Sequence, residues 1–358
     1  MRQISELQKI LSNFLGWHKS RISCLVQILQ ALFYVRTVNL TQIASAFKSN
    51  VKEESCYRRA CRFFTNFSFD MSSIVLLVLR LFPLGSKYLL ILDRTNWKWG
   101  KTPINILMLS VAYLGISIPL FWVVLDLEGN SSPEDRISML KRVLEKFGLE
   151  KIEALLADRE FIGKKWFGFL CENKIPFVIR IKRNFKAGVI QGEQTVPVGK
   201  LCKIFGSRKI LNQPINLWGY PLYISIQRTK KAKESLIVVS NFVFKDALKM
   251  YKKRWGIETL FGCLKSRGFR MEDTHMTDAD KIEKLLFVLA IAFCWAYRTG
   301  DIQAKKEPIE IKTHGRKAKS LFRIGLDFIR RVFLNLRFLE FKRLLECFER
   351  LESMGRAL

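Results

Sequence analysis

One stretch of this chain, YKKRWGIETLFGCLK from Tyr251 to Lys265, sets a single carboxylate among two cations and a phenol. On a helix of about 100° per residue, Tyr251, Arg254, Glu258 and Lys265 fall at about 0°, 300°, 340° and 320°, one narrow stripe. Packing alone would fill such a stripe with leucine. Carboxylates bind hard cations, whereas guanidinium, ammonium and phenol groups grip phosphate, so the stripe fits metal-assisted chemistry on a phosphate ester. The plain alternative is a basic surface helix with ordinary i,i+3 and i,i+4 pairs. Partner acids elsewhere would separate the two readings. KYLLILDRTNW (Lys87 to Trp97) and KIEALLADREF (Lys151 to Phe161) are apolar runs that end in Asp93 and Asp158. A doubly buried strand that delivers a carboxylate at its C-terminal end is how open α/β sheets present site residues. A lone Asp after a strand can equally cap a turn, and Asp126, closing WVVLDLEG, is a third acid in similar placement.

The elements that must position these residues can be read in order. Residues 1–86 read as helical, with amphipathic segments at Ser20 to Tyr34, Leu40 to Phe47 and Ser55 to Phe67, and Asn39 or Thr41 capping the second. Basic residues at 48, 52, 58, 59 and 62 give this region the character of a helix-turn-helix-like DNA-binding unit, with a plain helical bundle as the alternative. The strand to Asp93 is followed by Ile104 to Leu125, an uncharged run long enough to suggest a membrane span. Gly115 and Pro119 interrupt it, and its β-branched and aromatic residues favour two buried strands joined by a tight turn. Ser132 then caps a helix to about Phe147, the strand to Asp158 follows, and a helix at Lys164 to Glu172 leads to the strand PFVIRIK (Pro176 to Lys182). Residues 184–245 carry short strand patterns separated by turn residues, with RTKKAK (Arg228 to Lys233) as a hairpin tip. An apolar helix of Leu285 to Tyr297, a charged linker from Asp301 to Lys319 and an amphipathic segment from Leu321 to Leu351 complete the chain.

Composition bounds the partner. Against 32 Asp and Glu stand 61 Lys and Arg, a formal charge of +29, so a polyanion is expected and nucleic acid comes first. With 49% hydrophobic residues this is a folded basic protein, not a disordered tail. The eight cysteines lack a C-x-x-C pair and the three histidines stand far apart, which disfavours zinc sites, disulfide frameworks and histidine acid–base chemistry. The first residues carry charges through their apolar positions and do not read as a signal peptide, so a cytoplasmic, nucleoid-associated location without a membrane is expected. Gly100-Lys101-Thr102 ends like a phosphate-binding loop, but Thr95 stands where its first glycine belongs.

The spacing Tyr, two residues, Arg, three residues, Glu, six residues, Lys resembles the motif around the last acid of bacterial insertion-sequence transposases of the DDE type. LDRTNW and ADREF look like the first and second acid motifs of the same group, in the right order. The resemblance runs roughly from Lys87 to Arg270. It implies an α/β fold with a ribonuclease-H-like mixed sheet flanked by helices, a β-rich insertion, and helical N- and C-terminal regions. The implied division is a helical DNA-binding domain (1–86), a catalytic core in two parts (87–183 and 246–300), the insertion (184–245), and a linker with C-terminal helices (301–358). It further implies that Asp93, Asp158 and Glu258 hold two Mg2+ ions, replaceable by Mn2+, with Asp93 bridging both. Tyr251, Arg254 and Lys265 would bind DNA phosphate and support a hairpin intermediate; Trp218 is a candidate for stacking on a flipped base. The implied activity is cleavage of double-stranded DNA at terminal inverted repeats and strand transfer to target DNA, by at least a homodimer. A metal-dependent nuclease of the same fold, or an inactive DNA-binding relic, are the alternatives.

Overall fold

A computed structural model describes residues 2–48, 50–68, 70–126, 128–189, 195–204, 206–228, 235–313 and 315–335. The expected hairpin tip at 229–233, His314 and Cys347 lie outside them. In chain order the elements are α1 (Arg2–Leu15), α2 (Lys19–Val35), α3 (Leu40–Ser45), α4 (Glu53–Asn66), α5 (Met71–Leu81), β1 (Tyr88–Trp99), β2 (Thr102–Tyr113) and β3 (Ile116–Leu125). Next come α6 (Pro133–Phe147), β4 (Ile152–Ala157), α7 (Lys164–Glu172), β5 (Phe177–Arg180), β6 (Lys186–Val189), β7 (Thr195–Pro197), α8 (Leu201–Ile204), β8 (Lys209–Leu217), β9 (Tyr220–Gln227) and β10 (Leu236–Ser240). The chain continues through α9 (Ala247–Lys252), α10 (Gly256–Leu264), α11 (Ala279–Lys306) and α12 (Leu321–Asn335). They divide into a helical unit (Met1–Pro83, Asn96–Ile104 and Leu260–Leu358) and a sheet unit (Leu84–Thr95 and Asn105–Thr259).

The sheet runs β3-β2-β1-β4-β5-β10-β9-β8-β6-β7. Its first five strands arrive in the order strand, strand, strand, helix, strand, helix, strand, as expected of a ribonuclease-H-like core. The uncharged run of 104–125 is the β2–β3 hairpin, turning at Leu114 and Gly115, which both take positive φ (43° and 85°). Strands β1 and β4 pair in parallel from Tyr88↔Ile152 to Leu92↔Ala157. Ser132 caps α6 in a reciprocal capping box with Asp135.

Residues 184–245 supply the outer, β-rich part of the same sheet. Strand β10 lies beside β5 (Val239↔Ile179) and continues the core sheet outward through β9, β8, β6 and β7. Its run LIVVS is apolar on both faces, the pattern of a central strand covered above and below.

In the helical unit, α2, α3 and α4 are the three expected helices, and Asn39 is the cap of α3, accepting from the backbone N–H groups of Thr41 and Gln42. Helices α1 and α5 add to them. The apolar, β-branched run of α5 reads locally as a strand, yet Asp70 accepts from the Ser72 N–H at 2.9 Å and starts a helix. Helix α11 corrects two expectations. It spans 28 residues instead of the 13 anticipated, and Asp301–Lys306 belong to it, not to a linker. The charges at its end are paired along the helix, Asp301 with Arg298 (2.7 Å) and Lys305 (3.2 Å), so polarity there does not mark a break. By length and composition α11 could cross a membrane, but 94% of its apolar window is buried. Phe33 meets Trp295 edge-on at 5.4 Å, and Phe293 stacks on Phe322 of α12 at 5.5 Å.

Candidate active site

Asp93 does not end its strand, as the apolar run had implied; β1 continues past it to Trp99. What ends before Asp93 is the parallel pairing. The last paired residues are Leu92 and Ala157, so Asp93 and Asp158 are the next positions on neighbouring strands, on the same sheet face and about one strand spacing of 4.8 Å apart. Asp126 follows the edge strand β3, two strands from β1, and is exposed.

The stretch carrying Glu258 is not one continuous α-helix. A 3-10 turn at Lys253–Trp255 separates α9 from α10. Such a turn advances about 120° per residue, so three residues rotate the wheel by about 60° beyond the α-helical expectation. Arg254 is consequently buried at 7% exposure, while Glu258 keeps its side chain 45% exposed. The turn also lies close against β3. A Cβ on Gly256 would come within 2.6 Å of the Ile116 carbonyl carbon and 2.7 Å of its oxygen. Backbone cannot yield as a flexible side chain can, so glycine is required there. Gly256→Ala should cost about 1–3 kcal/mol in chemical denaturation and displace Arg254 and Glu258 together.

Arg254 is the hub of the site. Its Nη1 donates to Asp93 Oδ2 at 2.6 Å and its Nη2 to Glu258 Oε1 at 3.3 Å. Burial opposes its charge, yet the field of Asp93, followed by Tyr251, Asp158 and Glu258, holds its pKa above the ordinary value. Burial pushes the Asp93 carboxyl up to about 7, although Arg254 and the Arg94 N–H pull it down; Glu258 and Glu160 add to the rise. Asp158 is half-buried, accepts from the Tyr251 hydroxyl at 3.2 Å and has Arg180 at 3.9 Å. Burial and the Asp158 carboxylate push the Tyr251 phenol up.

The sheet unit therefore brings Asp93, Asp158, Glu258, Tyr251 and Arg254 into one electrostatic group. Among the described residues no three of His, Cys, Asp or Glu stand close enough to hold a metal ion together; the acids are spaced around a guanidinium instead. Lys265 falls just beyond α10 in the helical unit. There it pairs with Glu272 (2.7 Å), donates to the Asn96 carbonyl (3.3 Å) and lies over the Trp97 ring (5.6 Å). Trp218 sits at φ 58° in the β8–β9 turn, with its ring edge-on to Phe167 and Phe185.

Sequence reading missed a second layer. Arg94 pairs with Glu160 (3.2 Å) and donates to Asn105 Oδ1 (2.8 Å), tying β1 to the loop after β4 and to β2. The available signal was the shared Asp-Arg of LDRTNW and ADREF, with Glu160 two positions after the second acid.

The oxygen-only donor set suits a hard divalent cation. A buried carboxyl raised to about 7, with a guanidinium drawn against it, marks a place that demands positive charge. A search of the curated proteins finds no match to this chain. Residues 84–295, more than half of the chain and inclusive of all three acids, match the transposase DDE domain. The chain belongs to the transposase DDE domain family.

Proposed function

We propose that this protein is a cut-and-paste transposase of the type marked by the Tyr-Arg-Glu-Lys spacing. It binds the terminal inverted repeats of an insertion sequence, cleaves DNA at the ends, and joins the freed 3′ hydroxyl to target DNA. The observation that carries the reading is the convergence of Asp93 and Glu258 on Arg254, with Asp158 within electrostatic reach of the same guanidinium, inside the matched region.

Asp93, Asp158 and Glu258 are the residues that would hold two divalent cations, Mg2+ or Mn2+. When bound, these ions supply an activated hydroxyl, stabilised charge on phosphorus and a stabilised leaving oxygen. The protein's own groups set the stage. The Tyr251 hydroxyl fixes one oxygen of Asp158, and Arg254 fixes Asp93 and Glu258. Tyr251, Arg254 and Lys265 are the groups assigned to DNA phosphate, since a guanidinium grips it bidentately, an ammonium as a point charge and a phenol by its hydroxyl. Acting on two ends at once calls for at least a dimer in the DNA complex. With a net charge of +29, such a protein works on the DNA of the cytoplasmic nucleoid.

The test supplies a pre-cleaved element end, a target duplex and Mg2+. A transposase yields joined molecules; a nuclease of the same fold cleaves without joining, and a relic does neither. A second measurement needs no turnover. Mg2+ should raise the thermal midpoint of the parent, by an amount that corresponds to about 2.7 kcal/mol at a hundred times its dissociation constant, and leave that of Asp93→Asn unmoved.

A further inference from the structure

Away from the acids, the helical unit contains a cleft of about 360 Å³ lined by Ser20, Arg21, Cys24, Arg59, Arg62 and Asn66 among others. Three guanidinium groups converge there from two helices. Burial pushes the Cys24 thiol up to about 11, and the charges of Arg59, Arg21 and Arg62 all pull against that rise, so all three lie within electrostatic reach of one sulfur. Each is held in place. Arg59 donates to Gln27 Oε1 (3.3 Å) and Ser23 Oγ (3.1 Å), Arg62 to the Arg58 carbonyl (3.3 Å), and Arg21 lies over the Phe67 ring at 5.2 Å.

No carboxylate lines this cleft, and among the described residues none pairs with Arg21, Arg59 or Arg62. The arginines of α4 differ in their partners. Arg58 is taken by Glu54 one turn earlier (2.6 Å), whereas Arg59 and Arg62 turn toward Arg21 of α2. Like charges fixed side by side repel, and a tetrahedral oxyanion with several acceptors relieves that repulsion for all three at once. In a chain of charge +29, the phosphate diester backbone of DNA is the abundant source of such a group.

We propose that Arg21, Arg59 and Arg62 form a clamp for a single backbone phosphate of duplex DNA, fixing the register of the N-terminal helices on the duplex. This rests on the DNA-binding reading above but not on the chemistry of the acids. One phosphate held by three arginines has a signature that three separate contacts lack: losing any one loosens the same phosphate.

The experiment measures binding of the full chain to a duplex oligonucleotide in EDTA, across a range of salt, for Arg21→Gln, Arg59→Gln, Arg62→Gln, the triple variant and Arg58→Gln. The clamp predicts that each single variant weakens binding roughly tenfold. It also predicts that the triple variant is little worse, and that the salt slope falls by about one counterion, with Arg58→Gln near parental. Should Arg59→Gln fail to fold, Arg62→Gln, exposed and free of side-chain partners among the described residues, carries the test. Additive losses with a slope lower by about three would overturn the clamp in favour of separate phosphates. Unchanged binding would overturn it while leaving the transposase reading intact, and a parent chain with no duplex affinity would overturn both. Inorganic phosphate at millimolar concentration that binds the parent but not the triple variant, with duplex affinity equal in the two, would assign the cleft to the free anion instead.

Discussion

Glu258→Gln should abolish DNA cleavage, by at least about 10³-fold, while duplex affinity stays near parental. The side chain is half in solvent and pairs among the described residues with Arg254 at 3.3 Å, so the amide fits without steric cost and the fold is kept. What is lost is negative charge at the one acid that comes from a helix. A neutral amide is a poor ligand for a hard divalent cation, and it leaves the set with Asp93 and Asp158 alone. Gel assays of end cleavage in Mg2+, run beside binding in EDTA, separate the two effects. Normal cleavage by this variant would remove Glu258 from the chemistry and leave Arg254 as its only reason for being there.

Arg254→Ala has the largest expected effect on stability. Arg254 is 7% exposed and its guanidinium lies 2.6 Å from Asp93, itself 9% exposed. Removing one partner of a buried ion pair strands the other, at a cost of about 3–5 kcal/mol in metal-free buffer. The double variant Arg254→Ala/Asp93→Asn should recover a large part of that loss, because the stranded charge is gone. A double-mutant cycle by chemical denaturation reads the coupling directly. Simple additivity would mean that Arg254 stabilises the unit through its packing beside Tyr251, whose ring it approaches at 5.9 Å, and not through the acid.

Much of the core was legible because its signals are local and repeated. Asp93 and Asp158 each close an apolar run, and two such runs in parallel put their ends side by side without any need to know the loops between them. The β2–β3 hairpin was equally plain, since Leu114-Gly115 is the turn that an uncharged run of that length requires in a soluble sheet. The place of Arg254 was not legible. A helical wheel assumes one pitch throughout, and the 3-10 turn at 253–255 breaks that assumption; the wheel set Arg254 on the stripe of Tyr251 and Glu258 but gave no sign that it is buried and bridges Glu258 to Asp93. The pairing of β10 was not legible for a different reason: its partner is β5, about sixty residues earlier, and a pairing that distant leaves no local trace. The full length of α11 was hidden by its terminal charges, which satisfy one another along the helix.

The helical unit draws on both extremities of the chain, Met1–Pro83 and Leu260–Leu358, with the sheet unit spooled out between them. On the ribosome, at roughly 5–20 residues per second, α1 to α5 emerge first and must wait while the chain from residue 82 to residue 278 is translated before α11 and then α12 arrive to cover them. A message cut short anywhere before codon 258 yields a product that lacks both the last acid and the lining of its own first helices. Such a fragment leaves the apolar faces of its first helices uncovered, and exposed surface of that kind favours aggregation over folding.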